Sequence, residues 1–250
     1  DKSETDAGGQ FILSGAIMTG GTVITLFVNN ETEDAVTVLL ASGSAMTGIN
    51  LFQNRLIVRS ESGSSPVTLT SLNIANTLID NDIINLLPAD TSATSLNMPG
   101  GIELLVWTGS TFNPTSNITV HDIDVNGTFD HDSTTVSVTG SWDTSSGSVT
   151  GTGTINFAAV GTTETIRSGT FAYSGATFSG TGSWTLQDVM NVDGFFDLQK
   201  GTLNQGAVAM TLSGKSRIAS GAFFIKSTNA SALSFDASQT YEDEHGSSLG

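Results

Sequence analysis

The densest run of groups able to do chemistry is His121-Asp122-Ile123-Asp124-Val125-Asn126-Gly127-Thr128-Phe129-Asp130-His131-Asp132. Asp122 and Asp124 are two apart, so an extended strand presents both on one face, and Asp130 with Asp132 repeats that spacing. Carboxylate oxygens converging from adjacent strands are what Ca2+ takes, about six to eight at a time. That makes Asp122, Asp124, Asp130 and Asp132 the candidate metal ligands and structural Ca2+ the one cofactor suggested. The competing expectation is solvated aspartates flanking a turn, because neither the EF-hand order nor a Gly-Gly-x-Gly-x-Asp repeat is present. His121 and His131 have no further His or Cys nearby to complete a transition-metal site. Asp80, Asp82 and Asp90, and separately Asp188, Asn191 and Asp193 beside Gly194, pose the same choice between a cation corner and an ordinary Asx turn.

Acid-base catalysis finds less support. Lys215 and Arg217 share a strand face, but no paired acids stand at a recognisable distance, and no strand-to-helix context supports a serine nucleophile elbow. The expectation is a non-enzymatic protein, with a polysaccharide lyase or glycosidase of β-helix type as an alternative. The hydroxyl row Thr150-Gly151-Thr152-Gly153-Thr154 raises a second alternative, a glycan- or ice-binding β-helix. Trp107, Trp142, Trp184, Tyr173 and the phenylalanines are either sugar-stacking rings or core, and their fixed placement after glycine favours core.

Charge narrows the partners. Eight Lys plus Arg against 24 Asp plus Glu give a net charge of −16 over 250 residues, which would repel a phosphate backbone and excludes nucleic acid. Lys200, Lys215, Arg217 and Lys226 are half of all the cations, an asymmetry that favours head-to-tail self-association. Charged residues are only 13% of the chain, so the surface must be mostly hydroxyl and amide. There is no cysteine, and therefore no disulfide framework. Four sequons, at Asn30, Asn117, Asn126 and Asn229, and a start at Asp1 without an initiating Met fit a processed protein of the extracellular space or cell surface. Phe11–Val28 carries no charge, but its glycines and β-branched residues are poor for a spanning helix. It predicts a hairpin turning at Gly20-Gly21 and no membrane-spanning segment.

The elements that must position these groups are short strands. Expected strands are Phe11–Met18, Thr22–Val28, Ala35–Ala41, Ile49–Val58, Pro66–Leu72 and Ile102–Trp107, with near-helical spacing between Leu72 and Leu87 predicting a short helix over an edge or end. From about residue 118 a beat of glycine followed by an aromatic or β-branched residue takes over. Gly127, Gly140, Gly153, Gly169, Gly182 and Gly194 follow one another along the chain in steps of 13, 13, 16, 13 and 12. Such a beat predicts stacked units, with two or three beats to a coil and about four or five coils. Residues 1–10 read as a flexible leader, 11–117 as a β-rich region, 118–235 as the repetitive β region and 236–250 as an acidic polar tail. The fold class is all-β, a β-solenoid of the parallel β-helix kind in the C-terminal half, with a β-sandwich or jelly roll as the alternative.

Phrases such as Ser168-Gly169-Thr170-Phe171 and Thr150-Gly151-Thr152-Gly153-Thr154-Ile155 resemble the repeats of secreted bacterial β-solenoid surface proteins, the adhesin and autotransporter-passenger class, over about residues 118–235. The resemblance implies an elongated surface protein with inward apolar and outward hydroxyl side chains, and brings no catalytic residues. The expected function is a self-assembling subunit of a surface filament, sheath or lattice, or an adhesin segment, with copies of itself as partner and surface glycans as a further one.

Overall fold

The computed structural model describes residues 3–14, 18–77, 80–87, 94–98, 100–226, 232–235 and 241–243. The chain winds as a β-solenoid of about nine turns. The first sheet holds ten strands, from Val23–Phe27 through Ala35–Leu40, Arg55–Ser60, Glu103–Val106, Asp122–Val125 and Trp142–Asp143 to Phe223–Ile225. A second sheet holds Val67–Thr68, Thr111–Asn113, Thr128–Asp130 and Ser148–Thr150, and a third runs from Leu96–Asn97 to Leu233–Phe235. The turns from Arg55 to Phe157 visit the three sheets in that order, and from Glu164 on the described strands belong to the first and third. Every strand pair among the described residues is parallel except the first, where Val23–Phe27 runs antiparallel to Ala35–Leu40. The parallel ladder is thus under way by Ala35, well before the glycine beat begins.

Register gives the length of a turn. Leu104 pairs with Ile123 and Ile123 with Trp142, and the Ser141 N–H reaches back across one such turn, 19 residues, to Asp122. Trp142 pairs with Ile166 over a longer turn, the 24 residues that also separate Ser141 from its hydrogen-bond partner Thr165. Ile166 then pairs with Leu186. The glycine beat is therefore not the coil. With three corners to a turn of about 20 residues, a step of 13 advances the chain by two corners. Gly127 lies between the first and second sheets, Gly140 between the third and first, Gly153 between the second and third, and Gly169, stacked over Thr144 and Ser145, between Glu164–Arg167 of the first sheet and Ala172–Phe178 of the third. Three beats make two turns, which is why the turns are shorter and more numerous than the beat alone suggests. Glycine is needed at such corners because stacked backbones nearly touch. A Cβ on Gly153 would lie 1.9 Å from the Thr134 carbonyl oxygen of the preceding turn, and one on Gly194 1.6 Å from that of Ser174.

Alternating strands send one set of side chains inward. Phe129, Trp142, Phe157, Phe171, Trp184 and Phe196, the aromatics of the beat, are all buried, together with Phe112, Tyr173 and Phe178. They touch in sequence up the axis: Phe112 on Phe129 at 5.8 Å, Phe157 on Phe178 at 4.7 Å, Phe178 on Trp184 at 5.3 Å.

The N-terminal end is closed. Helix α1 (Leu69–Asn76) starts at Thr68, whose hydroxyl accepts from the Ser71 N–H while the Ser71 hydroxyl accepts from the Thr68 N–H, a reciprocal cap. Helix α2 (Asn81–Ile84) starts at Asp80, which accepts from the Asp82 N–H. Leu69, Leu72, Ala75, Ile83, Leu86 and Leu87 are buried over the first turns. The expected helix exists, but earlier and in two pieces, and only Val67–Thr68 of the expected strand Pro66–Leu72 is extended.

Two further expectations are corrected. The partner of Val23–Phe27 is Ala35–Leu40 and not Phe11–Met18, of which residues 11–14 and 18 form no strand and 15–17 lie outside the described residues. Ile49–Val58 is not one strand either: the strand begins at Arg55, and the segment before it lies as a strap across the outer surface of the first sheet. The Asn50 carbonyl accepts from the Thr37 hydroxyl at 2.6 Å, the Gly48 carbonyl accepts from Arg59, and Phe52 meets Trp107 at 6.3 Å. Leu39, Ile57 and Leu105 point away from the core and are buried all the same.

Candidate functional site

The four candidate aspartates divide between two faces. Asp122 and Asp124 project outward from the first sheet, on the strand Asp122–Val125, whereas Asp130 ends the second-sheet strand Thr128–Asp130 and Asp132 lies in the turn beyond it. The Asn113 amide donates to Asp132 at 3.1 Å and to Asp130 at 3.4 Å, and Asp130 also accepts from the Asp132 N–H. Among the described residues no three His, Asp or Glu side chains converge in a way that could hold a metal ion.

Asp122 and Asp124 instead join an outward column that spacing within one strand could not reveal. In register on the first sheet, Arg55 lies beside Glu103 and Glu103 beside Asp122; Asp124 lies beside Asp143 and Asp143 beside Arg167. Arg55 pairs with Glu103 at 2.9 Å and Arg167 loosely with Asp143 at 3.9 Å, and the His121 Nδ1 lies 3.1 Å from an Asp122 carboxylate oxygen. The Ser141 N–H and the Asn126 amide donate to Asp122 and Asp124 respectively. Burial raises the Glu103 carboxyl above its ordinary value, Arg55 pulls it down, and Asp124, Asp122 and Asp143 raise it again. Burial, then the Asp143 charge, raises Asp124, against the Asn126 hydrogen bond and Arg55. The signal for this column was available: an apolar-acid pair, Ile123-Asp124, recurs one turn later as Trp142-Asp143.

Two further acids serve the backbone. Asp188 accepts from the N–H groups of Ser168 and Gly169 one turn below, and Asp82 accepts from the Asn30 N–H. Asp193 is exposed, and Asp90 lies outside the described residues. Arg217 makes a two-pronged pair with Asp197 at 2.7 and 2.8 Å, while Lys200, Lys215 and Lys226 are exposed. Of the sequons, Asn30 and Asn117 are exposed, Asn126 is half-buried and bonded to Asp124, and Asn229 lies outside the described residues. Thr150, Thr152 and Thr154 fall on a strand end, a corner and the approach to the next face, so they do not form one flat row. The outward column of the third sheet is mixed: Thr119, Ser137, Asn156, Thr177, Asp197 and Arg217.

The one interruption among the described ladders is on the second face. Its sheet ends at Ser148–Thr150, which pairs with Thr128–Asp130 below and has no paired strand above, within the long turn that separates Trp142 from Ile166. A cleft of about 210 Å³ opens there, lined by Thr144, Gly147, Ser148, Val149, Gly151, Thr170, Phe171 and Ala172. Behind it His131 is fully buried, its ring edge-on to Phe171 at 6.2 Å and its Nε2 without a hydrogen-bond partner. Burial holds this imidazole below the ordinary histidine range. No family model, curated protein or solved structure matches the chain.

Proposed function

We propose that this chain is a non-enzymatic structural rod of the cell surface, a subunit that joins copies of itself head to tail into a filament, sheath or lattice. The observation that carries this reading is the difference between the two ends of the solenoid. The N-terminal end is covered by an antiparallel strand and two helices, and residues 1–34 hold six acids and one lysine. Residues 198–226 hold four cations and no acid, and with Asp236, Glu242, Asp243 and Glu244 beyond them residues 198–250 carry no net charge, against −5 over residues 1–34. There the first sheet stops, among the described residues, at Phe223–Ile225, whose Phe223 and Ile225 are 62% and 49% exposed. An apolar strand edge flanked by lysines suits an acidic partner with a strand to lend. Residues 11–14, unpaired and with Ile12 81% exposed, are that partner in the next copy, adding by main-chain hydrogen bonds. The exterior location draws support from the hydroxyl-rich surface and the exposed sequons at Asn30 and Asn117. A lyase or glycosidase would want its acids and a cation inside a groove; here the carboxylate column lies on the first face and the cleft on the second.

Sedimentation and negative-stain electron microscopy test the reading. The intact chain should form filaments at low ionic strength that shorten at about 0.5 M salt, where charge contacts are screened within a few ångströms. Deleting residues 1–14, or substituting Phe223→Ser with Ile225→Ser, should leave single rods with an unchanged β-type circular dichroism spectrum. An intact chain that stays monomeric in every condition, or a deletion that still polymerises, overturns it.

A further inference from the structure

We propose that the cleft at the interrupted second face is a binding site for one neutral sugar ring. The interruption leaves main-chain groups to be satisfied. Ser148 donates its N–H to the Gly127 carbonyl and Thr150 accepts from the His131 N–H, so both turn toward the preceding coil. By strand alternation the N–H and C=O of Val149 between them face the other way, into the cleft. In a complete turn the next strand would meet them, but the chain there bends at Gly169, with a positive φ of 58°, and rejoins a sheet only at Ala172.

The walls select the ligand. No charged side chain lines the cleft, which disfavours uronic acids, phosphates and amines. Its floor is carbon, from Val149 and Phe171, and its rim carries the exposed hydroxyls of Ser148 and Thr170, the first also 3.1 Å from the Thr128 hydroxyl of the preceding turn. A pyranose has the matching division: a face of C–H groups for an aromatic or aliphatic floor and a ring of hydroxyls for donors and acceptors at the edge. Size agrees. About 210 Å³ is the liquid share of about seven waters at roughly 30 Å³ each, enough for one substituted ring. An added peptide strand would need a longer edge than the short strand Ser148–Thr150 offers between Gly147 and Gly151. Gly151 is held to glycine by the preceding turn, since a Cβ there would lie 2.6 Å from the Asp132 carbonyl oxygen and 3.0 Å from the His131 ring, at a φ of 128°. The site does not depend on whether copies of the chain assemble.

Saturation-transfer NMR on the full chain with D-glucose, D-galactose, N-acetyl-D-glucosamine and D-xylose, and D-glucuronate as the charged comparison, tests the site. At least one neutral sugar should bind with a Kd on the order of millimolar, as a single ring offers few contacts. Thr170→Trp, which roofs the cleft from an exposed position, should weaken that sugar at least about tenfold with an unchanged melting temperature, and Ser148→Ala should weaken it about threefold or more. If Thr170→Trp does not fold, Ser148→Ala alone decides. The proposal is overturned if no neutral sugar shows transfer, if transfer is the same in the variants, if only glucuronate binds, or if a peptide of residues 11–18 occupies the cleft and the sugars do not.

Discussion

Asp124 and Trp142 sit on adjacent strands of the first sheet, one facing out and the other in, and their roles are opposite. Asp124 has a raised pKa because it is half out of water and faces Asp143. The folded state therefore holds its proton more tightly than the unfolded chain does. Ionising it weakens folding above the raised value, and this penalty fades as pH falls through that value toward the ordinary 3.8. Asp124→Asn, which keeps an oxygen for the Asn126 amide, should accordingly raise the melting temperature at pH 7, with the gain shrinking to nothing near pH 3.8 in melts of both proteins across that range. A gain that grows on acidification would assign the opposite sign. Trp142 is fully buried, and its indole N–H has no hydrogen-bond partner, so its contribution is packing alone. Trp142→Ala should cost about 3–5 kcal/mol in reversible denaturation through the cavity it leaves. A loss under about 1 kcal/mol would mean the ring does not fill the core.

At the scale of elements, what was legible in the sequence was local. The inward aromatics, the glycine corners and the strand character of Ala35–Leu40 and Glu103–Val106 follow from alternation and turn chemistry, which act over a few residues. What was not legible depended on partners far away. Phe11–Met18 and Ala35–Leu40 are both apolar and β-prone, and the chain pairs Val23–Phe27 with the second because Ala35–Leu40 is held in turn by Arg55–Ser60. The strap before Arg55 is apolar for the outer surface of the sheet, a burial that mimics strand composition. The carboxylate column needed register: Asp124 meets Asp143 through the length of a single turn, and the shorter glycine beat concealed that length. The cleft was the least legible feature, since it is made by a strand that is absent above Ser148–Thr150 in its own sheet.

At the scale of the molecule, the same ladders fix how the rod would respond to force. Strands lie across the axis and their hydrogen bonds along it, so tension between the ends loads one rung at a time, as in a zipper, and not all rungs in shear. The closed N-terminal end resists, and peeling starts from the Phe223–Ile225 end. In single-molecule pulling each released turn of ordinary length, about 19–21 residues, should appear as a separate force peak spaced by about 65–75 Å of contour length, at roughly 3.4 Å per residue. The longer turn that carries the cleft, from Trp142 to Ile166, should add a step of about 80 Å. The longest step, about 160 Å, comes from the segment between Leu56 and Leu104 that includes both helices. A single peak covering the whole length would mean that the turns do not unfold one by one. With the staircase, a chain of such rods under tension lengthens in increments and keeps its attachment while most of its turns remain intact.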